Sequence, residues 1–186
     1  MNISKLKTYI GILRGINVGG KILKMADLKK MFQKLGFKNV NTYIQSGNVF
    51  FQYRHEETRV LEQTIQNRIK TDFGTDVPVI VLTPDKLERI IEVNPFKANP
   101  VKEKTYLHVT FLQTKPVNYD KESVLDKKAG KEEIAFTDEA VYLYCPHGYG
   151  SSKLNNNLFE NKLKVTATTR NWKTTLKLLE LAQSIS

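Results

Sequence analysis

The chain has 186 residues, 40% of them hydrophobic and 26% charged, which are ordinary values for a globular protein of one sizeable domain or two small ones. Its 29 Lys and Arg residues outnumber 19 Asp and Glu by ten, a balance that favours anionic partners such as nucleic acid, phosphorylated metabolites or acidic proteins. The single cysteine, Cys145, excludes an intrachain disulfide and fits a reducing compartment. The apolar run Tyr9–Leu13 is too short for a membrane span of ~20 residues, so we expect a soluble cytoplasmic protein without membrane contact.

The first half of the chain predicts six elements in the order βαββαβ. Apolar runs indicate strands, helical spacing of apolar residues indicates helices, and Ser46-Gly47 indicates a tight hairpin. The predicted elements are a strand at 7–13, a helix at 25–35 stopped by Gly36, strands at 40–45 and 48–53, a helix opened by Glu56 and Glu57 and carrying Leu61, Ile65 and Ile69, and a strand at 77–82. This order is the ferredoxin-like motif.

The second half repeats this order after a short helix that Thr83-Pro84 opens and a Pro- and Lys-rich linker at 94–104. The predicted elements there are a strand at 106–113, a helix at 120–128, strands at 132–136 and 140–145, a helix at 152–163, a strand at 165–168 and a closing helix. We therefore predict an α+β fold of two ferredoxin-like halves with antiparallel or mixed sheets. Residues 1–95 form the first half and residues 96–186 the second.

The topology of the first half brings two polar segments to one edge of its sheet. A right-handed crossover makes the first two strands parallel, so the end of strand one and the hairpin after strand two lie at the same edge. These segments are Arg14–Lys21, which we call the basic loop, and Gln45–Asn48.

The basic loop matches the phosphate-loop pattern G-x-x-x-x-G-K from Gly15 to Lys21, but Ile22 stands where a Ser or Thr must hold magnesium. Nucleotide hydrolysis is therefore not expected. Ligand binding remains open, because three glycines let the backbone approach a ligand and Arg14 and Lys21 add charge; a plain glycine-rich turn and ordinary hairpin chemistry are the alternatives. The candidate ligand-binding residues here are Arg14, Asn17, Gly19, Gly20, Lys21, Gln45, Ser46 and Asn48.

In the second half, the polar segments fall on the opposite edge of the predicted sheet. Pro146–Lys153 and Thr168–Trp172 are both expected to open helices, whose free backbone amides suit anions. Arg170 at a helix N-terminus would run against the dipole preference unless an anion lay there. Thr169, Arg170 and Asn171 are therefore further candidates for ligand binding, with a helix N-cap at Thr169 or Asn171 as the alternative and Trp172 expected in the core. Whether the two clusters form one site is left open.

Metal and nucleophile chemistry find little support in the sequence. His55, His108 and His147 are scattered, and Cys145-Pro-His147 matches no zinc spacing. Cys145 ends an apolar strand and is expected to be buried. We predict no metal and no cofactor, and no catalytic residue is assigned.

Four segments together resemble the bacterial domain-of-unknown-function family 1697. They are Leu13–Lys21, Thr42–Val49, Asn94-Pro95-Phe96 and Thr168–Trp172, spread over nearly the whole chain. The resemblance implies a two-part α+β fold and a bacterial cytoplasmic protein, and it implies no activity.

Three functions remain in competition. The first is binding of an anionic ligand, either nucleic acid or a phosphate-bearing small molecule, at the basic loop. The second is an enzyme acting on a small phosphorylated substrate, with Arg14, Lys21 and Arg170 as electrostatic clamps. The third is a protein-interaction module for an acidic partner. The oligomeric state is left open.

Overall fold

The computed structural model describes residues 6–17 and 22–185. Its strands are β1 Lys7–Leu13, β2 Lys38–Tyr43, β3 Asn48–Tyr53, β4 Val79–Leu82, β5 Leu107–Leu112, β6 Glu133–Phe136, β7 Ala140–Tyr144 and β8 Ala167–Asn171. Its helices are α1 Met25–Lys34, α2 Thr58–Phe73, α3 Pro84–Glu92, α4 Glu122–Leu125, α5 Asn156–Leu163 and α6 Trp172–Ser184, with 3₁₀ turns at Lys104–Tyr106 and Tyr149–Ser151. None of the helices in these described residues is long and apolar enough to cross a membrane.

The strands form two four-stranded sheets with the same internal order. The first runs β2-β3-β1-β4 and the second β6-β7-β5-β8, and every neighbouring pair is antiparallel. This is the strand order of the ferredoxin-like motif in each half, so the predicted α+β fold is confirmed. Antiparallel or mixed sheets were expected, and both sheets are antiparallel.

Corresponding backbone hydrogen bonds recur in the two halves. The N–H of Leu13, at the end of β1, donates to the carbonyl of Gly47 (2.8 Å), and the N–H of Leu112, at the end of β5, donates to that of Glu139 (3.1 Å). The next residue in each half donates to the residue before its fourth strand, from Arg14 to Pro78 and from Gln113 to Thr166. The duplication expected from element order therefore extends to individual hydrogen bonds.

Each sheet has a hydrophobic core on one face. In the first half, α1 and α2 supply Leu28, Phe32, Ile65 and Ile69 to a core that also contains Phe51 of β3. In the second half, Val124 of α4 and Phe159 and Leu163 of α5 pack with side chains of β5, β7 and β8. These cores follow the 3.6-residue apolar periodicity of the helices and the alternation of the strands.

The chain divides into two compact units, Met1–Leu87 with Leu178–Ser186, and Glu88–Lys177. The divisions fall within α3 and within α6. A domain boundary between residues 95 and 96 stays a prediction.

Two residues expected in the core are buried, Cys145 with no exposed surface and Trp172 with 4% exposed. Burial also raises the pKa of the Cys145 thiol to about 11.

Several element boundaries differ from those expected; the strand expected at 165–168, for instance, is β8 Ala167–Asn171. The helix predicted from Ser152 begins at Asn156, because the Asn155 side chain accepts from the N–H of Leu158 (3.0 Å) and so caps it. The predicted helix at 120–128 is confined to α4. Ile44 and Gln45, expected in a strand, lie in a four-residue turn at 44–47, which we call the hairpin turn.

Candidate functional site

The two polar segments of the first half meet through one side chain, that of Asn17. Its Nδ2 donates to the carbonyl of Gln45 in the hairpin turn (2.7 Å), and its Oδ1 accepts from the N–H of Leu23 (2.7 Å). The convergence expected from the topology is therefore confirmed for the described part of the basic loop, residues 14–17. Asn17 thus joins the basic loop to the hairpin turn, 28 positions away, and to Leu23, six positions further along the chain.

Left-handed backbone conformations occur at four positions of these two loops. Gly15 (φ 69°), Asn17 (φ 55°), Ile44 (φ 51°) and Gly47 (φ 77°) all have left-handed conformations. Glycine and asparagine adopt this region at little cost, but a β-branched residue does not. Because Ile44 is also 48% exposed, burial of its side chain does not offset the strain. Strained residues of this kind cluster at functional sites.

The other candidates of this half have the following positions. Arg14 follows β1, is half-buried, and donates its backbone N–H to the carbonyl of Pro78 (2.9 Å). Asn48 is fully buried and donates to the carbonyl of Tyr43 (3.1 Å) and to the hydroxyl of Ser46 (3.0 Å). Asn48 and Ser46 thus hold the hairpin turn in shape. Gly19, Gly20 and Lys21 lie outside the described residues.

The structure agrees with the rejection of a hydrolytic phosphate loop. In such a loop the helix begins at the lysine, so that its N-terminus faces the phosphates. Here α1 begins at Met25, four positions beyond Lys21 in the sequence. Ile22, in the position of the magnesium-binding hydroxyl, has 84% of its side chain exposed.

Two of the three candidates of the second half, Thr169 and Arg170, lie on strand β8 rather than at a helix start, which corrects the expectation for them. Thr169 pairs with Thr110 and Arg170 with Val109 in the ladder between β5 and β8, so the dipole argument does not apply to Arg170. Asn171 is the N-cap, because its Oδ1 accepts from the N–H of Thr174 (2.7 Å).

The side chains of Arg170 and Thr169 are held by neighbouring groups. Arg170 donates from NH1 to the Thr168 hydroxyl (3.0 Å) and to the carbonyl of Thr169 (2.9 Å). Burial lowers the pKa of its guanidinium to about 10, which leaves the group charged at neutral pH. The Thr169 hydroxyl donates to Oδ1 of Asn156 (2.6 Å), so the hydroxyl of Thr110 donates to that of Thr169 (2.8 Å).

His108 is a polar residue of this region that the sequence did not single out. Its ring stacks on Tyr149 with centroids 4.7 Å apart, and it pairs across the strands with Asn171. Nδ1 lies 3.2 Å from the carbonyl of Tyr106, so this nitrogen carries the proton in the neutral ring and Nε2 is an acceptor. His108 and Tyr149 are 41 positions apart (149 − 108), and Tyr149 lies in a 3₁₀ turn outside the sheet, so no local sequence signal joins them.

Burial lowers the pKa of His108 below its ordinary value of 6.5. The folded chain therefore holds this ring neutral at a pH where the unfolded chain begins to bind a proton. Below pH ~6.5, proton binding at this ring therefore favours the unfolded chain, and the free energy of unfolding decreases as the pH falls. Between pH 7.5 and pH 5, the free energy of unfolding of His108→Gln is expected to fall less steeply with decreasing pH than that of wild type. The difference in slope is at most about 1.4 kcal/mol per pH unit.

Urea unfolding of both proteins at several pH values measures this. The matched control is His55→Gln, which makes the same substitution at an exposed histidine. If the free energy of unfolding depends on pH equally in wild type and His108→Gln, the lowered pKa of His108 is contradicted.

The linker motif Asn94-Pro95-Phe96 is anchored within the second unit. The Asn94 side chain accepts from the N–H of Phe96 (2.9 Å) and is 3% exposed. The ammonium of Lys102 pairs with Glu133 and lies over the rings of Tyr144 (4.5 Å) and Phe96 (5.3 Å). These contacts fix the linker on β6 and β7, which accounts for the motif by structure alone.

Within residues 6–17 and 22–185, no three His, Cys, Asp or Glu side chains are grouped to hold a metal ion.

Comparison with known proteins gives a fold and a family. A conserved bacterial protein, SP0830 from Streptococcus pneumoniae, has a similar solved structure, with a TM-score of 0.68 and 21% sequence identity over 96% of this chain and 99% of that one. No curated protein matches the sequence. Residues 6–142 match the family described as "Protein of unknown function (DUF1697)". This match covers most of the chain, and with the shared fold it shows that the chain belongs to the DUF1697 family.

Proposed function

We propose that the chain binds an anionic ligand, a phosphate-bearing small molecule or nucleic acid, at the basic loop and the hairpin turn. The observation that carries the proposal is the bridging of the two loops by Asn17, with 2.7 Å bonds to Gln45 and to Leu23. A binding surface made of two loops needs such a support, because loops that are not held pay an ordering cost when the ligand binds.

Two further features support the proposal. Turns with a left-handed residue form concavities into which successive backbone N–H groups point, and such concavities bind anions. Gly15 and Asn17 supply two left-handed residues in the described part of the basic loop. The strained and exposed Ile44 beside Gln45 is the kind of outlier that function, rather than folding, retains. The net charge of +10 adds a field that attracts anions.

The test is a binding measurement on wild type, Arg14→Ala and a matched control, Arg59→Ala. Arg59 is an exposed arginine on α2 of the same unit. Fluorescence anisotropy with short RNA and DNA at 50 and 200 mM salt examines nucleic acid, and calorimetry with inorganic phosphate and ribose 5-phosphate examines small molecules. We expect Arg14→Ala to lose about tenfold in affinity, the usual scale for one charge-assisted contact, and Arg59→Ala to bind as wild type does.

The salt dependence separates the two ligand classes. Binding of duplex DNA loses affinity with a log–log slope of about 0.9 per phosphate contacted, whereas a single phosphate ester gives a shallow slope. Absence of binding for every anion, or equal losses in Arg14→Ala and Arg59→Ala, would refute the proposed function.

A further inference from the structure

A groove opens beside the described part of the basic loop, within the same unit. Its volume is about 230 Å³, and the described residues that line it are Ile16, Ile22, Leu23, Phe73 and Thr75. Four of these five side chains are apolar. Phe73 is the last residue of α2, so the groove lies between the end of that helix and the loop that precedes α1.

The floor of the groove is held in place by its surroundings. Ile16 is 3% exposed and Leu23 is 5% exposed. The side chain of Ile16 packs so closely on Gly47 that a Cβ there would lie 2.7 Å from its Cδ1. Asn17 fixes Leu23 through the 2.7 Å bond from its backbone N–H. A rigid apolar floor loses little conformational freedom when it is covered.

Ile22 forms the rim of the groove and is 84% exposed. A single exposed isoleucine is normal on a protein surface. Ile22 differs because it lies beside a concave apolar surface, so that one apolar group of a ligand would cover both Ile22 and the floor of the groove. Charges of both signs adjoin the groove in sequence. Arg14 lies two positions before Ile16, and the exposed Lys24 directly follows Leu23. The acidic neighbours Asp72 and Asp76 accept hydrogen bonds from Arg68 and Gln66.

We infer that the ligand proposed above, held at Arg14 and the hairpin turn, is a small phosphate ester carrying one ring-sized apolar group, and that this groove receives the ring. The inference rests on the proposed function and names the class of its ligand. Pockets that enclose a drug-sized molecule measure roughly 300–1,000 Å³, so a groove of about 230 Å³ fits one ring system rather than a whole molecule. Its concavity favours a small molecule over a nucleic-acid duplex or a protein surface.

Calorimetry with three probes tests this assignment: AMP, ribose 5-phosphate, which keeps the phosphate and lacks the base, and adenosine, which keeps the base and lacks the phosphate. We expect AMP to bind about tenfold more tightly than ribose 5-phosphate, the scale of a modest apolar contact. Ile22→Ser is expected to remove this advantage while leaving ribose 5-phosphate binding unchanged. The control Val117→Ser replaces another exposed aliphatic residue, 70% exposed in the second unit, and is expected to bind AMP as wild type does.

The outcomes separate the inference from the proposed function. If ribose 5-phosphate binds and Arg14→Ala weakens it, but AMP binds no better, the groove assignment is overturned and the anion site stands. If adenosine and AMP bind equally and Ile22→Ser weakens both, the groove is a ring site and the anion proposal fails. If AMP binds more tightly and Ile22→Ser has no effect on it, the ring lies elsewhere and the inference is wrong. Absence of binding by all three probes overturns the inference, and the proposed function then stands only if the RNA or DNA probes bind.

Discussion

Gly47→Ala is expected to lower the free energy of unfolding by about 2–4 kcal/mol, although the change adds one methyl group. Gly47 has a φ of 77°, a conformation that costs an L-residue about 1–2 kcal/mol. The new Cβ would also lie 2.7 Å from Cδ1 of Ile16 and 2.9 Å from Cβ of Leu13. Leu13 is fixed in β1 and Ile16 is buried, so neither can move away freely, and overpacking of this kind costs about 1–3 kcal/mol.

Gly36→Ala provides the matched control. Gly36 also has a left-handed conformation, with a φ of 85°, but nothing lies within 4 Å of a Cβ built there. Its substitution is expected to cost only the conformational part, about 1–2 kcal/mol. Urea unfolding with an unchanged m-value measures both variants. If Gly47→Ala is no more destabilising than Gly36→Ala, the close packing of the hairpin turn on Ile16 does not contribute to stability.

Several elements of the fold could be predicted because their signals are local. Gly36 ends α1, as expected from a glycine after the last apolar turn, and the strand at 7–13 is an apolar run bounded by a charged loop. The strand order then followed from the chirality of crossovers, which needs no side-chain detail. Local signals and general topology were therefore sufficient for the ferredoxin-like order of each half.

Other boundaries depend on contacts that a sequence does not display. Ile44 has the β-branched side chain typical of a strand, yet it adopts a left-handed conformation in the hairpin turn. Thr169 and Arg170 resemble a helix start until their pairing with Thr110 and Val109 is known. In both places a tertiary arrangement overrides a local preference.

The meeting of residues 14–17 with the hairpin turn was predictable from the sequence, but the side-chain bond that joins them was not. Topology alone brought the basic loop and the hairpin to one edge. The bridging role of Asn17 was not foreseeable, because it depends on a side-chain bond to Gln45, 28 positions away. The groove beside Phe73 was equally hidden, since its walls come from α2 and from the loop before α1.

Glu62→Ala is expected to destabilise the chain by about 2–3 kcal/mol through the loss of a hydrogen bond at a sheet edge. Glu62, the fifth residue of α2, is 4% exposed, and its Oε1 accepts from the backbone N–H of Val81 (2.9 Å). Val81 lies in β4, an edge strand of its sheet. Removing the carboxylate leaves this N–H without an acceptor in a buried position, which costs about 1–3 kcal/mol, and hydrogen bonds to charged groups are at the upper end of that scale.

The second half contains the corresponding arrangement and supplies the comparison. Glu160 is the fifth residue of α5, and its Oε1 accepts from the N–H of Ala167 (3.1 Å) in β8, an edge strand of the other sheet. Glu160 is only half-buried, so water can replace it, and Glu160→Ala is expected to cost less than Glu62→Ala. Glu62→Gln keeps an acceptor oxygen and is expected to retain most of the stability. Urea unfolding ranks the three variants, and hydrogen exchange at the Val81 amide reports the bond itself. Equal losses in Glu62→Ala and Glu62→Gln would show that the carboxylate acts through its charge rather than as the acceptor that closes the edge of β4.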